Sequence, residues 1–161
     1  MAEHPRRRVL LRAAAVMLLV VALDQITKHT LGTWIQPGQV RHLLPGVTFV
    51  YERNTGVAFS VLAGSGPLVY AVSAAALAAL IVFLLARPQL TLVWLPAGML
   101  TGGAVGNLID RVARGSVIDF IKLPHWPAFN FADMSITFGA LLMALVVEPR
   151  GRRKDERTEH A

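Results

Sequence analysis

The chain has no cysteine among its 161 residues, which excludes a disulfide scaffold, a thiolate zinc site, an iron–sulfur cluster and a cysteine nucleophile. Charge is scarce too: 16% of the residues are Asp, Glu, Lys or Arg, where a soluble domain carries about 25%. There is no His-Glu-x-x-His pair to hold a catalytic zinc and no Gly-x-Ser-x-Gly elbow to present a serine. The five histidines, at 4, 29, 42, 125 and 160, are scattered. No metal and no cofactor are therefore expected. Basic residues exceed acidic ones by six, yet no interleaved basic and aromatic pattern goes with them, and nucleic acid is not an expected partner.

What the chain has is apolar length: 54% of it is hydrophobic and its mean hydropathy is +0.51. A bilayer-spanning helix needs roughly 20 mostly apolar residues, and four stretches approach or meet that, at about 9–28, 67–86, 90–109 and 131–147. The predicted fold class is an all-α membrane protein, one integral domain of four transmembrane helices with a small extracytoplasmic β-rich segment between spans one and two. The connection Arg87-Pro88-Gln89 is so short that spans two and three must be antiparallel neighbours. Arg6, Arg7 and Arg8 before an apolar run also describe a signal peptide, but this run ends in Asp24-Gln25-Ile26-Thr27-Lys28 rather than in the small residues of a cleavage site. A retained helix is expected.

With four spans both termini share a side. That side carries ten of the sixteen basic residues, and the other carries six spread over longer loops. Positive-inside asymmetry then puts both termini in the cytoplasm, and the tail at 150–161 reads as a solvated end meeting anionic headgroups. The segment at about 32–66 lies outside. Val47-Thr48-Phe49-Val50-Tyr51 is β-branched and aromatic, Asn54-Thr55-Gly56 supplies turn chemistry, and Pro37-Gly38 and Pro45-Gly46 punctuate the rest. A small sheet on the outer membrane surface is predicted, acting as a mobile lid or cradle.

Half of the ten acids belong to the two cytoplasmic ends. Of the others, Asp24, Asp110, Asp119 and Asp133 converge on the outer face, and ionisable groups close to hydrocarbon read first as functional. Each has a plainer reading. Asp24 and Lys28, at i and i+4, make a helix-end ion pair; Asn107, Asp110 and Arg111 share a helix face and suit a salt-bridge network. Asn130 suits an N-cap with Asp133 at the third helical position, while Asp119 reads as a loop acid held at the membrane boundary by Ile118, Phe120 and Ile121. Gly102, Gly103 and Gly106 read as close helix packing.

Two carboxylates in a poorly hydrated site cannot both ionise easily, so the pair shares a proton. One acid takes a proton from water while the other gives one to the carbonyl oxygen or leaving amine, which is the acid–base equipment that peptide hydrolysis needs. A proton- or cation-coupled transporter would also use intramembrane acids, but with sites near the midplane; here the acids lie at helix ends on one side. A noncatalytic assembly factor, its polar cluster only an interhelical network, is the third reading.

Five motifs occur in order: Asp24-Gln25-Ile26-Thr27-Lys28, Asn54-Thr55-Gly56-Val57-Ala58-Phe59, Gly102-Gly103-Ala104-Val105-Gly106-Asn107-Leu108-Ile109-Asp110-Arg111, Val117-Ile118-Asp119-Phe120 and Phe129-Asn130-Phe131-Ala132-Asp133. With them the chain resembles the bacterial lipoprotein signal peptidases, the signal peptidase II family, over nearly its whole length. The resemblance implies an aspartyl endopeptidase of the inner membrane, and a monomer among membrane lipid is expected. It cuts a prolipoprotein on the amino side of a cysteine carrying a diacylglyceryl group. It implies a catalytic dyad of Asp119 and Asp133, with Asn54, Asn107, Arg111 and Asn130 binding substrate or orienting the dyad. Asp24, Lys28 and Asp110 would hold the polar cluster together. Arg111 beside Asp110 favours a charged carboxylate there, which suits a positioning acid better than a proton donor. Val57 stands where the family often has alanine, which narrows the outer loop's approach to the substrate. The oxyanion falls to one of the asparagines or to the catalytic acid itself.

Overall fold

Helix α1 (Pro5–Trp34) is a run of Leu, Ala and Val with no proline or glycine between residues 6 and 31, and at 30 residues it extends about 45 Å. The computed structural model to which it belongs describes residues 5–55 and 91–147, with positions 71, 74, 75, 78, 79, 81 and 82 between them. Among the described helices, this one alone is long and apolar enough to cross a membrane. Leu11, Leu18, Leu19 and Ile26 stand exposed along it, as expected of a helix whose outer surface meets hydrocarbon. The second predicted span lies mostly outside the described residues, though every described position within it is helical. The remainder of the outer segment at 56–66, including Val57, the connection at 87–89 and the tail at 150–161 also lie outside them.

After Ile35, which is fully buried, Pro37-Gly38 turns the chain into β1 (Val40–Leu44), and Pro45-Gly46 turns it again into β2 (Val47–Asn54). Both turns need a positive φ, which glycine supplies at Gly38 (83°) and Gly46 (82°). The sequence reading confines the sheet to this segment; the structure does not. Its third strand, β3 (Val117–Lys122), arrives from between the last two helices and pairs antiparallel with β2, in the order β1-β2-β3. Asp119 therefore sits in a strand, not a loop. An edge-to-face chain from Trp34 through Phe49 to Phe120 ties the end of α1 to the sheet.

Helix α2 (Trp94–Arg114) follows one 3₁₀ turn (Thr91–Val93). It begins later than the predicted 90–109 and passes through Asp110 and Arg111 to Arg114, because charge ends hydropathy without ending a helix. Gly115, at φ 70°, ends it by donating its N–H to the Arg111 carbonyl at 2.9 Å. Helix α3 (Phe131–Val147) has the bounds the sequence predicts. The three helices touch through glycines. A Cβ on Gly98 or Gly102 would fall 2.6–2.7 Å from Val16 or Val20 of α1, and one on Gly103 would fall 2.5 Å from the Ala132 carbonyl oxygen of α3. The sequence names Gly102, Gly103 and Gly106; Gly98 extends their stripe by one turn.

Candidate active site

The site is built where α1, the end of α2 and the start of α3 meet β3. Asn130, fully buried, caps α3: its Oδ1 accepts the Asp133 N–H at 2.9 Å while Asp133 Oδ2 accepts the Asn130 N–H at 3.2 Å. This reciprocal capping box satisfies two orphan donors of the helix start. A third goes further afield, since the Ala132 N–H donates to Asp24 Oδ1 of α1 at 3.0 Å.

The same Asn130 reaches the other acid, its Nδ2 donating to Asp119 Oδ1 at 2.7 Å. Asn54, at the end of β2, donates to Asp119 Oδ2 at 3.0 Å. Asn107 of α2 donates to Asp133 Oδ1 at 2.8 Å. The capping reading is thus realised, and the same side chain also joins Asp119 to the start of α3. Asp119 is only 2% exposed, and burial pushes its carboxyl from the ordinary 3.8 up to about 7. The neighbouring Asp133 adds to that rise, and the amides of Asn54 and Asn130 and the charge of Lys28 oppose it.

Beneath the two acids lies a buried ionic cluster. Lys28 Nζ is 2.8 Å from Asp24 Oδ2, 2.8 Å from Asp110 Oδ2 and 3.1 Å from Asn107 Oδ1, and the three charged side chains are essentially inaccessible. Arg114 joins Asp110 Oδ1 at 2.6 Å. The sequence reading gives Arg111 as the cation beside Asp110; the structure puts Lys28 and Arg114 there, and Arg111 donates from Nη1 to the Asn107 carbonyl at 3.4 Å. Residue 114, not 111, stands one full turn from Asp110. Gln25 is a member the sequence reading missed, its Nε2 lying within 3.3 Å of Asp24 Oδ2, Asp110 Oδ1 and the Gly106 carbonyl. Glu52 is opposite Asp119 in the sheet but pairs outward with Lys122 at 2.5 Å. Among the described residues, no group of His, Cys, Asp and Glu is arranged to hold a metal ion.

The sequence model of signal peptidase II matches residues 16–147, a stretch that contains every residue of this site. The chain belongs to the signal peptidase II family. It is 37% identical to a lipoprotein signal peptidase of Syntrophomonas wolfei over 139 residues, covering 86% of this chain and 93% of that one. It is 38% identical to another of Geobacter metallireducens over 162 residues, covering 94% and 98%. A solved bacterial membrane enzyme at 2.3 Å resolution superposes with a TM-score of 0.80 at 30% identity, over 89% of this chain and 92% of that chain. As a signal peptidase II the protein is an aspartic peptidase of a membrane, which agrees with a buried polar cluster that holds four aspartates. Signal peptidase II chemistry must therefore be sought among Asp24, Asp110, Asp119 and Asp133. Of these, Asp24 and Asp110 are each tied to Lys28, and Asp119 and Asp133 are held by asparagines.

Proposed function

We propose that Asp119 and Asp133 are the catalytic dyad with which this peptidase removes signal peptides from prolipoproteins. The observation that carries the assignment is Asn130, which bonds both carboxylates at once while capping the helix that bears one of them. Asp119, the more deeply buried acid, carries the proton below about pH 7, to which burial raises its carboxyl. Asp133 takes a proton from the attacking water, and the hydroxyl adds to the scissile carbonyl carbon as Asp119 gives its proton to the carbonyl oxygen. The carbon–nitrogen bond then breaks, with the proton on Asp133 passing to the leaving amine and the hydroxyl proton returning to Asp119. Donors from Asn54 and Asn107 keep the carboxylates facing each other, so little reorganisation is left for the reaction. Arg111 supports Asn107 from behind.

The substrate in this reading is a precursor whose cysteine carries a diacylglyceryl group, cut on the amino side of that cysteine. Burying a lipid chain gains about 0.8 kcal/mol per CH₂, so the lipid stays among the helices while its cysteine sits at the boundary where the acids lie. The exposed leucines of α1 and α3, which suit a surface facing hydrocarbon, and the helical positions between 71 and 82 support four spans. The basic asymmetry supports cytoplasmic termini and an outward-facing site in the inner membrane. Asp119→Asn and Asp133→Asn test the dyad: each is expected to insert and fold but to abolish cleavage of diacylglyceryl-modified precursor in detergent. Retained cleavage by either overturns the assignment.

A further inference from the structure

We propose that Lys28 is a positioning residue for the reaction, its ammonium governing how both dyad carboxylates are held through Asn107, Asp24 and Asp110. The inference rests on the dyad reading above. A lysine only 1% exposed is an unfavourable choice for packing alone, and the bonds made by Lys28 lead to both dyad acids.

The first effect is on hydrogen-bond polarity. An ammonium donates three hydrogen bonds and accepts none. Its bond to Asn107 Oδ1 at 3.1 Å therefore makes that amide turn its oxygen to Lys28 and its NH₂ to Asp133, 2.8 Å away. Asn130 is forced in the same sense, because its oxygen is taken by the backbone N–H of Asp133. Its NH₂ is left to donate to Asp119 and to Asn107 Oδ1. Two groups that can only donate thus set both amides, and each dyad carboxylate meets N–H rather than a carbonyl oxygen.

The second effect is on backbone register. Asp24, paired with Lys28 through Oδ2, uses Oδ1 for the N–H of Ala132. Asp110, also paired with Lys28 through Oδ2, accepts the N–H of Ile118 on the same oxygen at 3.4 Å. Ala132 and Ile118 are the residues immediately before Asp133 and Asp119. One cation anchors the two acids that grip the chain one residue ahead of each dyad acid. The charges around it are Asp24 from α1, Asp110 and Arg114 from α2, Asp119 from β3 and Asp133 from α3, and its own charge helps Asp119 to ionise.

Lys28→Met alone would strand a buried carboxylate and risk unfolding. The double variant Asp24→Asn/Lys28→Met removes one charge of each sign and keeps an oxygen for the Ala132 N–H. With diacylglyceryl-modified precursor in detergent, we expect kcat to fall roughly 100-fold with KM within about threefold of the parent. The alkaline limb of the pH profile should move to higher pH, because Asp119 has lost a cation that draws off its proton. Parental kcat with an unmoved alkaline limb overturns the inference. Asn107→Asp gives a second reading: it keeps an oxygen for Lys28 but sets a carboxylate against Asp133 where the N–H was, so turnover is expected to fall, with some loss of thermal stability from the like charges. Parental turnover in that variant also overturns it. If Asp119→Asn is inactive while the double variant works normally, only the Lys28 inference fails; if Asp119→Asn cleaves, the dyad reading fails.

Discussion

Asp24, on the first helix, accepts the backbone N–H of Ala132 at 3.0 Å and so seats the first turn of the last helix. At the same level α1 and α2 run close: a Cβ on Gly106 would fall 2.6 Å from Asp24 Oδ2. Helix packing and site assembly are here one arrangement, and substitutions separate their effects.

The proton on Asp119 makes stability depend on pH. Its carboxyl rises from 3.8 to about 7 on folding, so the folded chain binds a proton there that the unfolded chain releases. The stabilisation is fully present below about pH 4 and is lost as pH rises through about 7. Thermal unfolding in detergent from about pH 4 to 8 should show the parent losing stability relative to Asp119→Asn as the pH rises. A difference that stays constant would contradict it. The proton-donating half of the reaction should fail over the same upper range.

Gly103→Ala places a methyl group 2.5 Å from the Ala132 carbonyl oxygen and 2.7 Å from Ile136 Cγ1. Backbone cannot rotate aside as a side chain does, so α3 must shift. We expect a loss of about 1–3 kcal/mol, read as a lower melting temperature, together with reduced turnover, because Asp133 is the next residue along.

Asn130 has two separable tasks. Asn130→Ala is expected to destabilise the protein by about 1 kcal/mol through loss of the cap. Serine caps helices well, so Asn130→Ser should recover most of that in a melting experiment. Its hydroxyl is too short to reach Asp119 as well, and turnover should stay depressed in both variants. Recovery of turnover by serine would show that capping is all Asn130 does.

The Glu52–Lys122 pair is nearly half exposed at both ends. Lys122→Ala should therefore change stability by less than about 1 kcal/mol, and the small effect should fade further in high salt. A larger loss would mean that the pair clamps β2 to β3.

Hydropathy made α1 and α3 legible because each is a continuous apolar run. It misplaced the ends of α2, whose stop is the glycine at 115 and not the charges at 110 and 111. The strand Val117–Lys122 was hidden because its hydrogen-bonding partner lies far upstream, and no local pattern reports a pairing of that separation. The acids and amides stood out by their position near apolar runs. Which cation meets Asp110 did not, since adjacency in sequence favours Arg111 and helical geometry favours Arg114. The grip on the amides before Asp119 and Asp133 involves main-chain groups, which carry no residue identity to be read.

Asn54 meets Asp119 across 65 residues of sequence, and Asp24 meets Ala132 across 108. During synthesis the acceptors and donors of this cluster therefore stay mismatched until the chain has emerged past residue 133. A nascent chain cut short in α2 would own Asp24, Lys28 and Asn107 but neither Asp119 nor Asp133. The cluster is therefore completed late, once the helix that follows Asn130 has been made.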